Sequence, residues 1–400
     1  MSTRLSRRGI ELPASPIRRL VPYADAAKER GIHVHPLNIG QPDVPTPAGM
    51  IAAYQSYDEK VLAYGPSTGL PELREKVAAS YRAQGFGLEA EHVQVTFGGS
   101  EAVQFALAAL CDPGDQVLVS EPFYANYAGF AVASGVEVVP VPASARDGFA
   151  LPGDEFFEAR IGPRTRAVII CSPGNPTGTV YDWTSLERLA RLVERRDLAL
   201  ISDEVYRDFV YDGGRAHSAL ELSIADERVV VVDSVSKRFS ACGARVGFAI
   251  SRVPELVQAF TRLCFSRLCP ATVDQVAAVA AYDTPPSYFD EVRAEYQRRR
   301  DVLVEGLNAI EGVRTHLPQG AFYTMARFPV EDIDDFCRWL LEVHDHEGES
   351  VMMAPGTGFY GTPGLGKDEA RLAYVLEVPA LRRSIRILEE GLKRYPGRLD

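Results

Sequence analysis

A lysine stands where few lysines do: Ser234-Val235-Ser236-Lys237 directly follows the apolar run Val229–Asp233. Lysine is normally fully solvated. At the end of a buried strand, among cations and apolar walls, its ammonium gives up a proton more readily. The free amine is then a nucleophile for carbonyls and forms a Schiff base. Gly243-Ala244-Arg245 follows closely, and two serine hydroxyls with an arginine suit a phosphate. Composition singles out the same residue. Of 43 basic residues only six are lysine, and Lys237 is the only one between Lys76 and Lys367. Genomic habit accounts for the skew itself, yet a guanidinium cannot replace an amine nucleophile.

Three more segments place polar groups after apolar runs. Gly98-Gly99-Ser100-Glu101 follows Val93–Phe97 and opens a helical pattern. Glycines let the backbone approach closely, and free N–H groups with a helix dipole attract an anion; taken alone, a Gly-Gly pair is more often just a turn. Ser172-Pro173-Gly174-Asn175-Pro176-Thr177-Gly178 follows Ala167–Cys171 and fixes Asn175 in a rigid loop, where Asn-Pro is also an ordinary turn initiator. Asp203-Glu204-Val205-Tyr206 follows Leu198–Ser202. An acid ending a buried strand is costly to ionise unless a cation sits opposite; the alternative is a helix N-cap.

The elements that must position these groups repeat one rhythm: a short apolar run, a polar or glycine turn, a helical pattern. The four runs above, with Gln116–Ser120 and Val136–Val141, are continuous rather than alternating, as strands covered on both faces are. Helical patterns such as Glu101–Cys111 and Trp183–Arg196 lie between them. The reading is an α/β fold whose large domain carries a mostly parallel, doubly wound sheet. In such sheets ligands sit beyond the carboxyl ends of the strands. After Pro285-Pro286 the rhythm changes to a long charged helix, strand-like segments and a helix near Leu381–Tyr395, a smaller α+β domain. The expected division is residues 1–45 packing with the small domain, 46–284 as the large domain and 285–400 as the small one.

Composition excludes several classes. With 54 acidic against 43 basic residues the net charge is −11, so nonspecific nucleic-acid binding has no electrostatic basis. No apolar run reaches the roughly 18–20 residues of a membrane span, and no apolar core of a secretory signal follows the early arginines. The six cysteines form no C-x-x-C pair or metal-site spacing and read as reduced, buried thiols of a cytoplasmic protein. Arg298-Arg299-Arg300 reads as the solvated face of a helix, and His344-Asp345-His346-Glu347 as a solvated charged run rather than a metal site. Gly356-Thr357-Gly358-Phe359-Tyr360-Gly361 fits the dinucleotide fingerprint as a string, but Pro363 and Gly364 follow where a helix should open, so it reads as a loop.

The four strand-end signals together describe one object: a phosphate cup, a ring-polarising asparagine, an anion for a pyridinium nitrogen and a Schiff-base lysine. Pyridoxal 5′-phosphate requires this set of a protein. Here the chain resembles the fold-type I, class I/II aminotransferases, in the style of aspartate and aromatic aminotransferases. The resemblance runs from Leu37-Asn38-Ile39-Gly40-Gln41-Pro42-Asp43 through Ala63-Tyr64-Gly65-Pro66 and the motifs above to Glu369-Ala370-Arg371-Leu372.

The resemblance implies that Lys237 carries the cofactor and shuttles the proton, and that Asp203 pairs with the pyridine nitrogen. It implies that Asn175 and Tyr206 bond the ring 3′ oxygen and that Tyr124, with Phe123 as the other choice, stacks on the ring. Gly99, Ser100, Glu101 (through its backbone), Ser234 and Arg245 would form the phosphate cup. Tyr64 would reach the phosphate of a neighbouring subunit, which implies a homodimer with composite sites. Arg371 would grip the substrate α-carboxylate with Asn175 and the Gly40 backbone. The expected activity is transfer of an α-amino group between an L-amino acid and a 2-oxo acid by ping-pong transamination. The alternative is a β-lyase or cyclase on the same fold, and more remotely a regulator. Two departures mark this chain: Ala244 stands where the family commonly has tryptophan, beside an uncommon Cys242. Ser100 stands where one bacterial branch has a lysine for the distal carboxylate.

Overall fold

The computed structural model describes residues 4–13 and 15–399. Strand β1 (His33–Pro36) precedes seven strands that form the main sheet. These are β2 (Val93–Thr96), β3 (Gln116–Glu121), β4 (Glu137–Pro142), β5 (Thr165–Cys171), β6 (Ala199–Asp203), β7 (Val229–Ser234) and β8 (Gly247–Ile250), in the order β2-β8-β7-β6-β5-β3-β4. Strands β3 to β7 pair in parallel, while β8 runs antiparallel to both β2 and β7. The six apolar runs are strands within a residue or two of their expected limits. The seventh, Gly247–Ile250, went unread because four residues beginning with glycine carry little pattern.

Successive side chains of a strand point to opposite faces, and the core divides accordingly. Leu200, Val168 and Val231 pack on one face of the sheet, and Ile201, Ile169 and Val232 on the other. Helices cover both faces. The helix Trp183–Arg195 turns Leu186, Leu189 and Val193 inward, and its N-cap Asp182 accepts from the Ser185 N–H at 2.9 Å. The helix Gly98–Leu110 begins immediately after β2.

The rest of the chain builds two smaller sheets. Strands β9 (Arg314–Thr315), β10 (Tyr323–Arg327), β12 (Ala354–Pro355) and β13 (Glu369–Ala373) form an antiparallel sheet, order β12-β13-β10-β9. Strand β11 (Glu349–Met352) pairs in parallel with β1, so the N-terminal segment lies on the C-terminal third of the chain. The Gly356–Phe359 segment is a short 3₁₀ turn.

Three expectations need correction. His344, read as part of a solvated run, is buried and stacks on the Trp339 ring. Arg299 and Arg300, on the helix Pro286–Ala309, are buried rather than solvated. Arg299 pairs with Asp43 at 2.6 Å and Glu295 at 2.7 Å, whereas Arg300 pairs with Asp212 at 2.6 Å and lies over the Tyr211 ring. Each guanidinium keeps its charge because carboxylates meet it, and burial of a paired arginine links this helix to the N-terminal segment and to the Asp212 loop. Of the six cysteines, none paired among the described residues, only Cys264 and Cys337 are buried and four are partly exposed.

Candidate active site

The carboxyl ends of β5, β6 and β7 lie side by side, and β2, held parallel to β7 through the antiparallel β8, ends at the same edge. Asp203 is the last residue of β6 and Ser234 the last of β7. Asn175 follows β5 and Gly98 follows β2.

Lys237 sits in the short helix Val235–Arg238 directly after β7. Its Nζ donates to the Gly40 carbonyl at 2.9 Å and to Cys242 Sγ at 3.6 Å, facing the rings of Tyr206 and Phe322 at 6.0 and 5.9 Å. No carboxylate pairs with it among the described residues.

Asp203 is buried, and its Oδ2 accepts from the Tyr127 hydroxyl at 2.6 Å. Burial pushes its carboxyl up to about 6, against the Tyr127 hydrogen bond and the nearby Lys237 charge. Such an acid lacks a cation in contact, so a protonated ring nitrogen opposite it would stabilise its charge. Burial also pushes the Tyr124 phenol up to about 12, helped by Tyr323 and Asp203 and opposed by Arg371 and Arg245. Tyr124 thus lies within electrostatic reach of both ends of the site.

The glycine turn has a steric reason. Gly98 has φ +73°, and a Cβ there would lie 2.2 Å from Arg245 Nη2. The Arg245 guanidinium, exposed and bonded to the Cys242 carbonyl at 3.0 Å, therefore closes directly on the turn. Ser100 lies in the first helical turn. Glu101 uses its side chain to accept from the Phe97 N–H at 2.8 Å and to pair with Arg267 at 3.3 Å. The Ser234 N–H donates to Asp233 Oδ1 at 2.7 Å.

Arg371, on β13, is 1% exposed. It donates to Asn175 Oδ1 at 3.0 Å and to the Asn38 carbonyl, between the rings of Tyr323 and Phe359 at 4.5 and 4.9 Å. Its Nε is buried without a hydrogen-bond partner, and no carboxylate pairs with it among the described residues. A buried, incompletely satisfied guanidinium calls for a planar anion.

The structure thus brings Gly40, Gly99, Ser100, Tyr124, Asn175, Asp203, Tyr206, Ser234, Lys237, Arg245 and Arg371 to one edge. Tyr64 is apart, 84% exposed between the helices Ala48–Gln55 and Pro71–Arg82. Four further residues went unread. Tyr127 holds Asp203, Asn38 and Phe359 seat Arg371, and Tyr323 bonds Tyr206 hydroxyl to hydroxyl at 2.9 Å. Tyr127 lies three residues beyond Tyr124, and Asn38 and Phe359 stand inside motifs quoted above without a role; only Tyr323, in an apolar segment, left no trace.

Residues 32–367 match the family model for aminotransferase class I and II. The chain belongs to this family. It is similar to the aspartate/prephenate aminotransferase of Thermus thermophilus, 33% identical over 93% of each chain. The aromatic-amino-acid aminotransferase 2 of Thermococcus litoralis is 33% identical over 89% of this chain and 91% of its own. Among solved structures, an alanine aminotransferase from Pyrococcus furiosus superposes with a TM-score of 0.89 at 31% identity, covering 98% of this chain and all of the other. The protein is an aminotransferase acting on amino and oxo acids. In this aminotransferase no helix among the described residues is long and apolar enough to cross a membrane.

Proposed function

We propose that this aminotransferase works with pyridoxal 5′-phosphate held at Lys237, moving the α-amino group of an L-amino acid to a 2-oxo acid in two half-reactions. The observation that carries the reading is the convergence of Lys237, buried Asp203 and the Gly98–Arg245 turn at one sheet edge. The residues fit the group: no cation is in contact with Asp203 among the described residues, and the turn admits no side chain beside Arg245. Gly99, Ser100, the Glu101 backbone, Ser234 and Arg245 would take the phosphate, Asp203 the ring nitrogen, Asn175 and Tyr206 the ring oxygen, and Tyr124 the ring face. When bound, the cofactor supplies an electron-withdrawing ring that accepts the charge left at the substrate Cα.

The chain's own residues do the rest. Arg371 receives the α-carboxylate, Asn175 is shared between it and the ring, and the Gly40 carbonyl steadies the lysine amine. As a free amine, Lys237 would act as the base that takes the Cα proton and holds it for return. Visible spectra of the loaded enzyme, recorded with each of the twenty amino acids and then with oxo acids, test this. A productive amino acid bleaches the band and an oxo acid restores it; no response to any of them defeats the reading.

Arg371→Lys keeps one charge and loses the planar fork. KM for the amino acid should rise about 100-fold, with a smaller change in kcat, in steady-state kinetics. Equal falls in kcat and kcat/KM would place Arg371 away from ground-state binding.

The named activities of the relatives span aspartate, aromatic and alanine substrates. Ser100 offers no charge for a distal carboxylate, so we favour amino acids with uncharged side chains. We also propose a homodimer in which Tyr64 completes the partner's phosphate site; Val61, Leu62 and Tyr64 are 73, 73 and 84% exposed, a run that a second copy would cover. The division into residues 1–45, 46–284 and 285–400 is our reading of the two sheet systems, and the unpaired thiols favour the cytoplasm.

A further inference from the structure

Tyr323 reaches three parts of the site: the Tyr206 hydroxyl, the Gly40 carbonyl and the Arg371 guanidinium. It is the first residue of β10, 2% exposed, and its backbone pairs with Ala373 on β13, the strand that carries Arg371. Its ring lies 4.5 Å from the Arg371 guanidinium carbon. Its hydroxyl is 2.9 Å from the Tyr206 hydroxyl and 3.4 Å from the Gly40 carbonyl, the oxygen that also accepts from Lys237 at 2.9 Å. Gly40 is glycine for this reason: a Cβ there would lie 1.7 Å from the Tyr323 oxygen.

Either hydroxyl can donate in the Tyr206–Tyr323 pair, and the cofactor reading chooses between them. Each phenol has one proton. If Tyr206 gives its proton to the ring oxygen, only the Tyr323 proton is left to fill the 2.9 Å contact, and the Gly40 carbonyl at 3.4 Å is its more distant acceptor. A phenol that accepts a hydrogen bond is also a stronger donor, since bonds in a chain polarise one another.

We propose that Tyr323 is a positioning residue of this aminotransferase: its hydroxyl aims and strengthens the hydrogen bond that Tyr206 gives to the ring oxygen, and its ring seats Arg371. This rests on the cofactor reading above. Two substitutions separate the two parts. Tyr323→Phe removes only the hydroxyl, whereas Tyr323→Leu removes the aromatic face as well.

The experiment is a pH titration of the visible band of the loaded enzyme, with dissociation constants for an unreactive monocarboxylate such as 3-phenylpropionate. Controls are circular dichroism and a thermal melt of each variant. For Tyr323→Phe the titration midpoint should rise by about half a pH unit, the size of one lost neutral hydrogen bond. The rise comes because the ring oxygen's negative charge is less well stabilised and the neighbouring nitrogen holds its proton longer. Carboxylate affinity should stay within about twofold. For Tyr323→Leu it should fall about tenfold, the effect expected when a buried cation loses an aromatic face.

A cycle with Tyr206→Phe decides whether Tyr323 acts through Tyr206. The double variant should titrate like Tyr206→Phe alone, since nothing remains for Tyr323 to aim. Additive shifts, or an unmoved midpoint in Tyr323→Phe, would overturn the proposal and reduce Tyr323 to core packing. Failure of the cofactor reading would look different: the unaltered protein would then show no band at all.

Discussion

Lys237→Arg is expected to be as inactive as Lys237→Ala, each falling by about 10⁴-fold or more in kcat/KM, measured by coupled assay of oxo acid formation. The arginine variant is the sharper of the two. It keeps a cation in the same helix, and a guanidinium can still donate to the Gly40 carbonyl and lie against Tyr206 and Phe322. Charge, reach and local packing thus survive while the amine does not. Guanidinium stays protonated at working pH and neither attacks a carbonyl nor takes a proton from Cα. Loss of the visible band should accompany the loss of rate in both variants. If Lys237→Arg kept even a few per cent of the activity, the role of Lys237 would be electrostatic, and another group would move the proton. Arginine makes up 37 of the 43 basic residues, and this strand end nevertheless carries lysine.

How much of this was legible in the sequence depended on whether a residue's role was local. The parallel strands could be read because each is an apolar run buried on both faces, and the site motifs because each follows such a run. Lys237, Asp203 and Asn175 announce themselves: an ionisable or amide side chain at the end of a buried strand needs a reason. Tyr323 and Phe359 do not, because an aromatic residue in a C-terminal strand or turn is ordinary until Arg371 is found beside it. The Arg298-Arg299-Arg300 run misled for the same reason. Three consecutive charges look solvated unless Asp43 and Asp212, which lie far away in sequence, are known to meet two of them. Long-range partners were the missing information throughout, and local pattern does not carry them.

Asp203→Asn should act in opposite directions on stability and on rate. In the protein without cofactor, the folded carboxyl titrates at about 6 rather than its ordinary 3.8, chiefly through burial. The sign follows from proton linkage: a carboxyl raised by folding favours the folded state while it is protonated. That contribution is present below pH 4 and is lost as pH rises through 6. Near neutral pH the buried charge therefore costs the cofactor-free protein about 2–3 kcal/mol.

Asparagine removes that charge while its amide oxygen still accepts from Tyr127. The cofactor-free variant should melt a few degrees higher than the parent at pH 7.5, and the gain should shrink to about a third at pH 4.5 and nearly vanish by about pH 3.5. Transamination should meanwhile fall about 10³-fold, because a neutral amide does not hold a ring nitrogen in its protonated form. Loading with cofactor should narrow or reverse the difference in melting temperature, since only the carboxylate gains a cationic partner there. A variant that melts lower than the parent at pH 7.5 without cofactor would show that Asp203 is already compensated by the protein. The acid would then be structural, held by Tyr127 for the sake of the sheet edge. The opposite pair of signs marks a group whose charge is tolerated in the fold for what it does to a bound ring.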